Sequence, residues 1–490
     1  MKVTVVVLKV ALSALIVAVP LLGIWVGSSL SAYAGASVVW AIVAGLVAFP
    51  LGPLLWDALS QFRRRKDERP RILTRWDRIL VRTLVINVVF LTSLLLFGPQ
   101  TLFTALATRG DWMLDDSDAE WADDVRSGLF ATADRIEWLY DSFDEGNEFE
   151  ALIESGDQPT PEPPSVSDSE NAEHGDDTGI SANNSGNGDS NDGVSTGAAA
   201  PTEWPFPDTP HPAAAQIPAS AETNYASAAR WLASQEDVPR KRAKLLHDYI
   251  ALRTAYDGVS YRAGRYPPQD AETVFRTRLS VCAGYANLFH AMAREMDLES
   301  AVVVGDTRKQ DGDISGEGHA WNAVRIEGKW YLVDVTWDSG HLRGTEFVPN
   351  YRTDYFLTPP DVIGLDHLPD APEWQLRSEP IGRGEFARQP LLRPGFFRHG
   401  FDLRSPRRSQ VSVGDELEIQ IANPRGHFLL VDFRPKDGGT STRCEVSQGA
   451  ALRATCEFPA SGIYRVVLFA SAEQYGSQYH GVGSIQAVVE

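Results

Sequence analysis

Three residues in the middle of the chain have side chains that could perform covalent chemistry together. Cys282 is one of only three cysteines in 490 residues, and it stands where an apolar run gives way to the helical pattern AGYANLFHAMAREM. His319 and Asp334 follow in the stretch GHAWNAVRIEGKWYLVDVTWD. A thiol nucleophile needs a base, and the base needs a group that orients it. We therefore predict a catalytic triad of Cys282, His319 and Asp334.

The element that would carry Cys282 is a helix that begins at or just after this residue. Ala286, Phe289, Ala293 and Met296 form one apolar face at helical spacing. The N-terminus of a helix favours a thiolate through the dipole and the free backbone N–H groups, which could also hold an oxyanion. A buried structural cysteine is the alternative, because unreactive cysteines are common in protein cores.

His319 and Asp334 are predicted to lie on one β-hairpin. Its strands would span residues 319–326 and 329–337, joined by a two-residue Glu-Gly turn. That turn sets a register in which the two residues are diagonal neighbours on one face, with Cα atoms roughly 7–8 Å apart. Asp334 stands between two valines, where an unpaired charge would be costly to bury. We therefore expect the Asp334 carboxylate to hold the imidazole of His319.

The motifs VCAGYA, GHAWNAVRIEGKWYLVDVTWD and YFLTPP occur in the order found in a known family. Over residues 221–360 the chain resembles the transglutaminase-like superfamily of papain-type fold, and within it the kyphoscoliosis-peptidase-type branch. The resemblance implies an α+β domain in which the cysteine helix packs on an antiparallel sheet. It also implies the roles of nucleophile for Cys282, general base for His319 and orienting carboxylate for Asp334. The residues expected to frame the site are Tyr285, Trp321 and Trp337.

The function implied by the resemblance is thiol acyl transfer on protein or peptide amides, as in a peptidase, a deamidase or a transglutaminase. No cofactor and no metal is expected. The alternative is a catalytically idle module of the same fold that binds proteins at the cell surface. A calcium loop at residues 311–316 is a further alternative, although the twelfth position of the pattern is an asparagine instead of a bidentate glutamate.

The charge and cysteine content exclude other classes of function. The net charge of -20 argues against a nucleic-acid-binding protein, which would need a basic surface. The three cysteines form no C-x-x-C pair, so neither a structural zinc site nor a thioredoxin-type dithiol is expected.

The first hundred residues predict a membrane region. No charged residue occurs between Val10 and Trp56, which is long enough for two spans, and a third apolar run begins near Thr83. We predict transmembrane helices at about 10–29, 36–55 and 79–98. The basic loop between the second and third helices would stay in the cytoplasm with the N-terminus, so residues after about 98 would be extracytoplasmic. Alternatively, the first run is a signal sequence cleaved near Ala34.

The remaining chain divides by composition. We predict juxtamembrane helices at 99–155, a disordered acidic linker rich in Ser, Gly, Asn and Pro at 156–215, and a transglutaminase-like domain at 216–378. Strand-like runs separated by turn residues predict an all-β sandwich of immunoglobulin type at 390–490. Cys444 and Cys456 lie inside it, either as a disulfide across a hairpin or as two free thiols.

Overall fold

The chain folds into two compact units in a computed structural model. The structure describes residues 2–63, 74–115, 117, 119–143, 146–153, 204–308, 317–474 and 479–489. The helix–sandwich unit comprises Met1–Gly146, Arg308–Gly316 and Ile381–Glu490, and the cysteine unit comprises Asn147–Thr307 and Glu317–Pro380. The predicted calcium-type loop and most of the predicted linker lie outside the described residues.

The N-terminal part of the helix–sandwich unit is helical. Its helices are Lys2–Tyr33, Val38–Leu46, a π-helical turn Val47–Leu51, Gly52–Arg63, Arg75–Phe97, Pro99–Arg109, Trp112–Leu114, Glu120–Asp134 and Glu137–Asp141. By length and composition, one helix among the described residues could cross a membrane, Arg75–Phe97, and Ala18–Tyr33 is a shorter apolar helix. The predicted arrangement of three spans therefore stays a prediction.

The C-terminal part of the same unit consists of two β-sheets. One has the order Leu391–Leu392, His480–Val489, Gly462–Ser471, Phe428–Pro435, Thr442–Arg443, with Gln410–Val413 parallel to His480–Val489. The other has the order Asp402–Ser405, Glu416–Ala422, Ala451–Glu457, Glu445–Ser447. Burial alternates along Glu416–Ala422, as expected of a strand with one face in a core. Short helices Arg383–Arg388 and Pro394–Arg398 flank the strand Leu391–Leu392. Cys444 and Cys456 form a disulfide.

Ion pairs connect the helices of this unit to its sandwich. The buried carboxylate of Asp111 binds Arg126, at 3.2 Å, and Arg408. The buried guanidinium of Arg109 donates to Ser412 at 2.6 Å. Because a buried charge is stable only when paired, these contacts fix the first and last parts of the chain to each other.

The cysteine unit is built around a five-stranded antiparallel sheet. Its order is Phe356–Thr358, Lys329–Val333, Glu317–Ile326, Glu299–Thr307, His367–Pro369. Its helices are Glu150–Leu152, Pro212–Ala215, Tyr225–Ala233, Pro239–Arg253, Gly258–Ala263, Ala271–Thr277, Cys282–Glu295, Val335–Ser339, Pro360–Ile363 and Pro372–Gln375. Two small ribbons pair Ala255–Tyr256 with Leu279–Ser280 and Gly340–Arg343 with Glu346–Pro349.

The helix Cys282–Glu295, here called the cysteine helix, is packed between other helices and this sheet. Phe289 and Met292 are fully buried in the main core together with Val324 of the central strand. Asn322 of that strand donates a hydrogen bond to the backbone oxygen of Ala286, at 3.0 Å. The apolar face thus holds the cysteine helix against the sheet that bears His319, and the amide contact fixes its register.

The predicted hairpin forms with the expected register, but its second strand is shorter than predicted. Ile326 pairs with Lys329 and Asn322 with Val333. The strand ends at Val333, and the next residues form the helix Val335–Ser339, here called the aspartate helix. The prediction of a strand to residue 337 was wrong because the side chain of Asp334 caps this helix and turns the backbone out of the sheet.

The ordered domain also starts earlier than predicted. Residues 204–215 were assigned to the linker, yet the backbone oxygen of Phe206 accepts a hydrogen bond from Thr353, at 2.8 Å. The ring of Phe206 packs edge-on against Phe356, with centroids 4.9 Å apart. Residues 147–153, assigned to the juxtamembrane helices, likewise belong to the cysteine unit.

Candidate active site

Cys282 is the first residue of the cysteine helix. Val281 before it is extended, and its N–H donates to the side-chain oxygen of Gln269 at 3.0 Å. The thiol of Cys282 is free and fully buried. The first N–H groups of a helix have no partner within the helix, so those at Cys282 are oriented for a negative charge on or near the sulfur.

The carboxylate of Asp334 is fully buried and accepts four hydrogen bonds. Oδ1 accepts the backbone N–H groups of Thr336 and Trp337, at 2.8 and 3.2 Å. Oδ2 faces the Nε2 atoms of His319 and His367, at 2.8 and 3.2 Å. One carboxylate therefore caps the aspartate helix and orients two imidazoles.

His319 lies between Asp334 and the thiol. Its Nε2 is bound to Asp334, and Cys282 lies within hydrogen-bonding reach of the same ring. Burial alone would lower the pKa of His319, but the charges of Asp334 and Cys282 and the hydrogen bonds to both raise it to about 9. Burial would likewise raise the pKa of Asp334, but His319 and then His367 bring it below the ordinary range. The structure thus favours an imidazolium–carboxylate pair beside the thiol.

His367 is a residue of this site that the sequence analysis missed. Its Nδ1 lies 2.6 Å from Asp366, whose other oxygen accepts the hydroxyl of Tyr355 at 2.6 Å. Burial lowers the pKa of His367, but Asp366 and Asp334 raise it overall. The only signal in the sequence was an aspartate directly before a histidine, and this histidine begins the three-residue edge strand His367–Pro369.

A third buried histidine, His247, contacts the aspartate helix. His247 lies between Asp248 and Asp338, with both nitrogen–oxygen distances 3.0 Å. Asp338 also accepts the backbone N–H of Tyr355. Burial raises the pKa of Asp338 to about 6, although the hydrogen bond to His247 lowers it. This network ties the helix that Asp334 caps to the helix Pro239–Arg253.

The predicted framing residues divide into two groups. Trp321 stacks on His319, with ring centroids 5.9 Å apart, and Trp337 packs against both His319 and His367, at 5.5 and 4.6 Å. Tyr285 instead lies in the main core, where its hydroxyl donates to the backbone oxygen of Thr254 at 2.6 Å. The two tryptophans therefore frame the histidines, whereas Tyr285 anchors the cysteine helix.

One group of side chains in the described part of the cysteine unit could hold a metal ion. The ligand atoms of His319, Asp334 and His367 lie within 4.8 Å of one another. These atoms are engaged in the hydrogen bonds described above, so a bound metal would have to replace the contacts that orient His319. We therefore interpret the group as a hydrogen-bond network.

Comparisons with known proteins agree with this geometry. Residues 226–335 match the family model described as "Transglutaminase-like superfamily". "Kyphoscoliosis peptidase" of Mus musculus is 32% identical over 216 residues, which cover 42% of this chain and 32% of the relative. The human protein of the same name is 37% identical over 180 residues, covering 35% and 27%, and "Hillarin" of Drosophila melanogaster is 26% identical over 240 residues, covering 43% and 28%.

The matched region is a fraction of each protein. The chain spans about a third of the length of the curated relatives it matches, or less. A solved structure described as "Crystal structure of a TGase" matches 26% of this chain and 32% of its own chain at 20% identity, with a TM-score of 0.20. The chain therefore contains a domain of the transglutaminase-like superfamily, and in this domain it is similar to the kyphoscoliosis-peptidase branch.

Proposed function

We propose that this chain is a membrane-anchored thiol acyl transferase that acts outside the cytoplasm on amide bonds of proteins or peptides. The observation that carries the proposal is the 2.8 Å contact between His319 and Asp334 next to a free thiol at a helix N-terminus. A nucleophile, a base and an orienting carboxylate are the parts that this chemistry requires.

The first half-reaction forms an acyl-enzyme. The Cys282 thiolate attacks the carbonyl carbon and forms a C–S bond, while the oxygen gains negative charge near the N–H groups at the start of the cysteine helix. His319 gives its proton to the leaving amine as the C–N bond breaks. In the second half, water or another amine attacks the thioester, His319 takes its proton, and the C–S bond breaks. Asp334 holds the imidazole in the required orientation throughout.

The acceptor in the second half-reaction decides between a hydrolase and a transferase. The relatives named peptidase support hydrolysis, which is the outcome we propose. A peptide substrate incubated with the enzyme in the presence of a fluorescent primary amine separates the outcomes. Hydrolysis releases a free carboxylate and leaves the fluorescent amine unbound, whereas transfer joins the two by an isopeptide or amide bond that mass spectrometry detects.

The test of the triad is the rate of Cys282 alkylation by iodoacetamide as a function of pH in the full chain. At about pH 7 we expect the wild type to react faster than His319→Ala, because His319 takes up the thiol proton and Asp334 holds the resulting imidazolium. Peptide mapping separates Cys282 from the disulfide-bonded pair Cys444–Cys456. An identical pH profile in both proteins would contradict the triad.

A catalytically idle binding module is the second candidate, and one observation favours it. The thiol of Cys282 is 0% exposed, and a nucleophile that no substrate can reach does not turn over. The alkylation experiment decides here too, because in an idle module the pH dependence of Cys282 alkylation would not change when His319 is replaced.

The proposed topology places the N-terminus in the cytoplasm and residues after about 98 outside. The apolar helix Arg75–Phe97 supports an anchor. In intact cells, a membrane-impermeant maleimide should label the exposed position Ser142→Cys, in a Cys282→Ala background, and should label Ser60→Cys only after permeabilisation. Labelling of Ser60→Cys in intact cells would reverse the orientation.

A further inference from the structure

A short segment of the chain lies across the catalytic residues. The cover segment, Asn147–Ile153, immediately precedes the predicted linker and belongs to the cysteine unit. The side-chain amide of Asn147 donates to the backbone oxygens of Gly305 and His319, both at 2.9 Å. Its Oδ1 accepts the N–H of Phe149, at 3.0 Å. Every polar atom of this side chain is thus used, and two of the bonds end on the strands that carry and flank His319.

The aromatic residue of the cover segment is buried with the nucleophile. Phe149 is 1% exposed and shares one apolar cluster with Cys282, Ala286 and Ala320. On its other side the ring contacts Tyr266, with centroids 5.5 Å apart. The phenyl side chain is therefore part of the apolar cluster that encloses the thiol, and Cys282 has no exposed surface in that cluster.

The end of the cover segment is fixed to the cysteine helix. Asn287 donates from one side-chain nitrogen to the backbone oxygens of Leu152 and Gln269, both at 2.9 Å. Glu148 accepts the hydroxyl of Tyr266, at 2.8 Å. The cover segment is therefore bound at the sheet side through Asn147 and at the helix side through Leu152, with Phe149 between them.

We infer that the cover segment is an intramolecular peptide ligand of the active-site cleft, which withholds Cys282 until it is displaced. This inference rests on the proposed function and adds a substrate class to it. A molecule that takes the place of the cover segment must be a peptide, because the contacts of the cover segment are made by backbone and side-chain amides. It must also present an aromatic side chain to the pocket that Phe149 fills.

The test uses two variants of the full chain in detergent and one matched control. Asn147→Asp is isosteric, but a carboxylate cannot donate to the two backbone oxygens and is repelled by them. Phe149→Ala removes the buried ring. Phe143→Ala removes a nearby phenylalanine that is 49% exposed and should change nothing. Circular dichroism first establishes that each variant is folded.

The measurement is Cys282 alkylation at about pH 9.5, above the usual thiol pKa of about 8.5, where the rate reports access and not activation. We expect both variants to react about tenfold faster than wild type, or more. Truncation of a buried aromatic residue, or loss of two buried hydrogen bonds, removes at least about the free energy of a tenfold change. Rates equal to wild type and to Phe143→Ala would overturn the inference.

A peptide supplied in trans checks the ligand class directly. A synthetic peptide with the sequence of residues 146–153 should slow alkylation of the Phe149→Ala variant, and the same peptide with alanine for phenylalanine should not. Measuring the cover-segment variants again in a His319→Ala background separates the proposed cover from the proposed triad. Faster alkylation of the cover-segment variants in that background supports the cover even if the triad has failed its own pH test.

Discussion

At the scale of single residues, the carboxylate of Asp334 determines the local chemistry. It serves two histidines and two backbone N–H groups, so its lone pairs are fully used. The sequence was sufficient to pair Asp334 with His319, because a charge between two valines on a buried strand needs a partner. It was insufficient for His367, which comes 33 residues later on a short edge strand without a recognisable pattern.

The raised pKa of His319 predicts how stability depends on pH. The folded protein binds this proton more tightly than the unfolded chain, since the pKa rises from 6.5 to about 9. The stabilisation is therefore complete below about pH 6.5 and is lost as the pH rises through about 9. His319→Gln keeps a hydrogen-bonding group without the charge. We expect its free energy of unfolding in urea to fall below that of wild type at pH 6 and to approach it above pH 9. A difference that is constant with pH would contradict the assignment.

His367 is expected to act as a positioning residue. His367→Gln leaves Asp334 without its second imidazole, so the orientation and proton affinity of His319 should change. We expect the midpoint of the alkylation profile of Cys282 to shift, by less than in His319→Ala. His290→Gln is the matched control, because His290 is a half-buried histidine of the cysteine helix that contacts Ser300 instead. Equal midpoints in His367→Gln and His290→Gln would assign His367 a purely structural role.

At the scale of elements, the aspartate helix shows where sequence patterns stop being informative. Valine, threonine and tryptophan after Asp334 favour a strand by propensity. The structure has a helix there because the Asp334 side chain caps it, and the network of His247 and Asp338 holds it in place. The hairpin register was predictable from the Glu-Gly turn, whose two residues both have positive φ. The end of the strand could not be predicted from the sequence, because it depended on a tertiary contact.

Gly284 of the cysteine helix gives a test at this scale. A Cβ atom there would lie 2.6 Å from the side-chain oxygen of Gln269 and 2.8 Å from a methyl group of Val274. Alanine normally stabilises a helix over glycine by about 1 kcal/mol, but overpacking in a filled core costs about 1–3 kcal/mol. We expect Gly284→Ala to lower the melting temperature measured by differential scanning fluorimetry.

The control for this prediction is another helical glycine. Gly128 lies in the helix Glu120–Asp134 and has no heavy atom within 4 Å of a Cβ position. Gly128→Ala should leave the melting temperature unchanged or raise it. A gain in both variants would mean that the cysteine helix can shift away from Gln269.

At the scale of the whole molecule, segments that are far apart in the sequence belong to the same compact unit. Composition predicts a linear series of membrane region, linker, enzyme domain and sandwich. The structure instead joins the first helices and the sandwich in one unit through Arg109, Asp111 and Arg408, and the cysteine unit is inserted between them in the sequence. An ion pair and a hydrogen bond between residues about 300 positions apart leave no periodic signal, which is why the sequence could not predict them.

The disulfide gives a prediction for the sandwich. Cys444 and Cys456 are 12 positions apart in the sequence, and closing a loop of this size is expected to stabilise the fold by about 3 kcal/mol. Reduction with a phosphine should therefore lower the urea concentration at which the sandwich unfolds. The double variant Cys444→Ala/Cys456→Ala should start from the lower value and be insensitive to the reductant. A wild-type midpoint that does not respond to reduction would contradict a stabilising disulfide.

The cover segment has a consequence for any truncated form of the protein. A fragment beginning after residue 203, whether made by a protease or in the laboratory, keeps Cys282, His319 and Asp334 but loses Asn147 and Phe149. The fragment also lacks Asp111, which is the acidic partner of Arg408. Such a fragment would present a thiol that the intact chain keeps covered, so the reactivity of Cys282 in the fragment would not represent its reactivity in the whole protein.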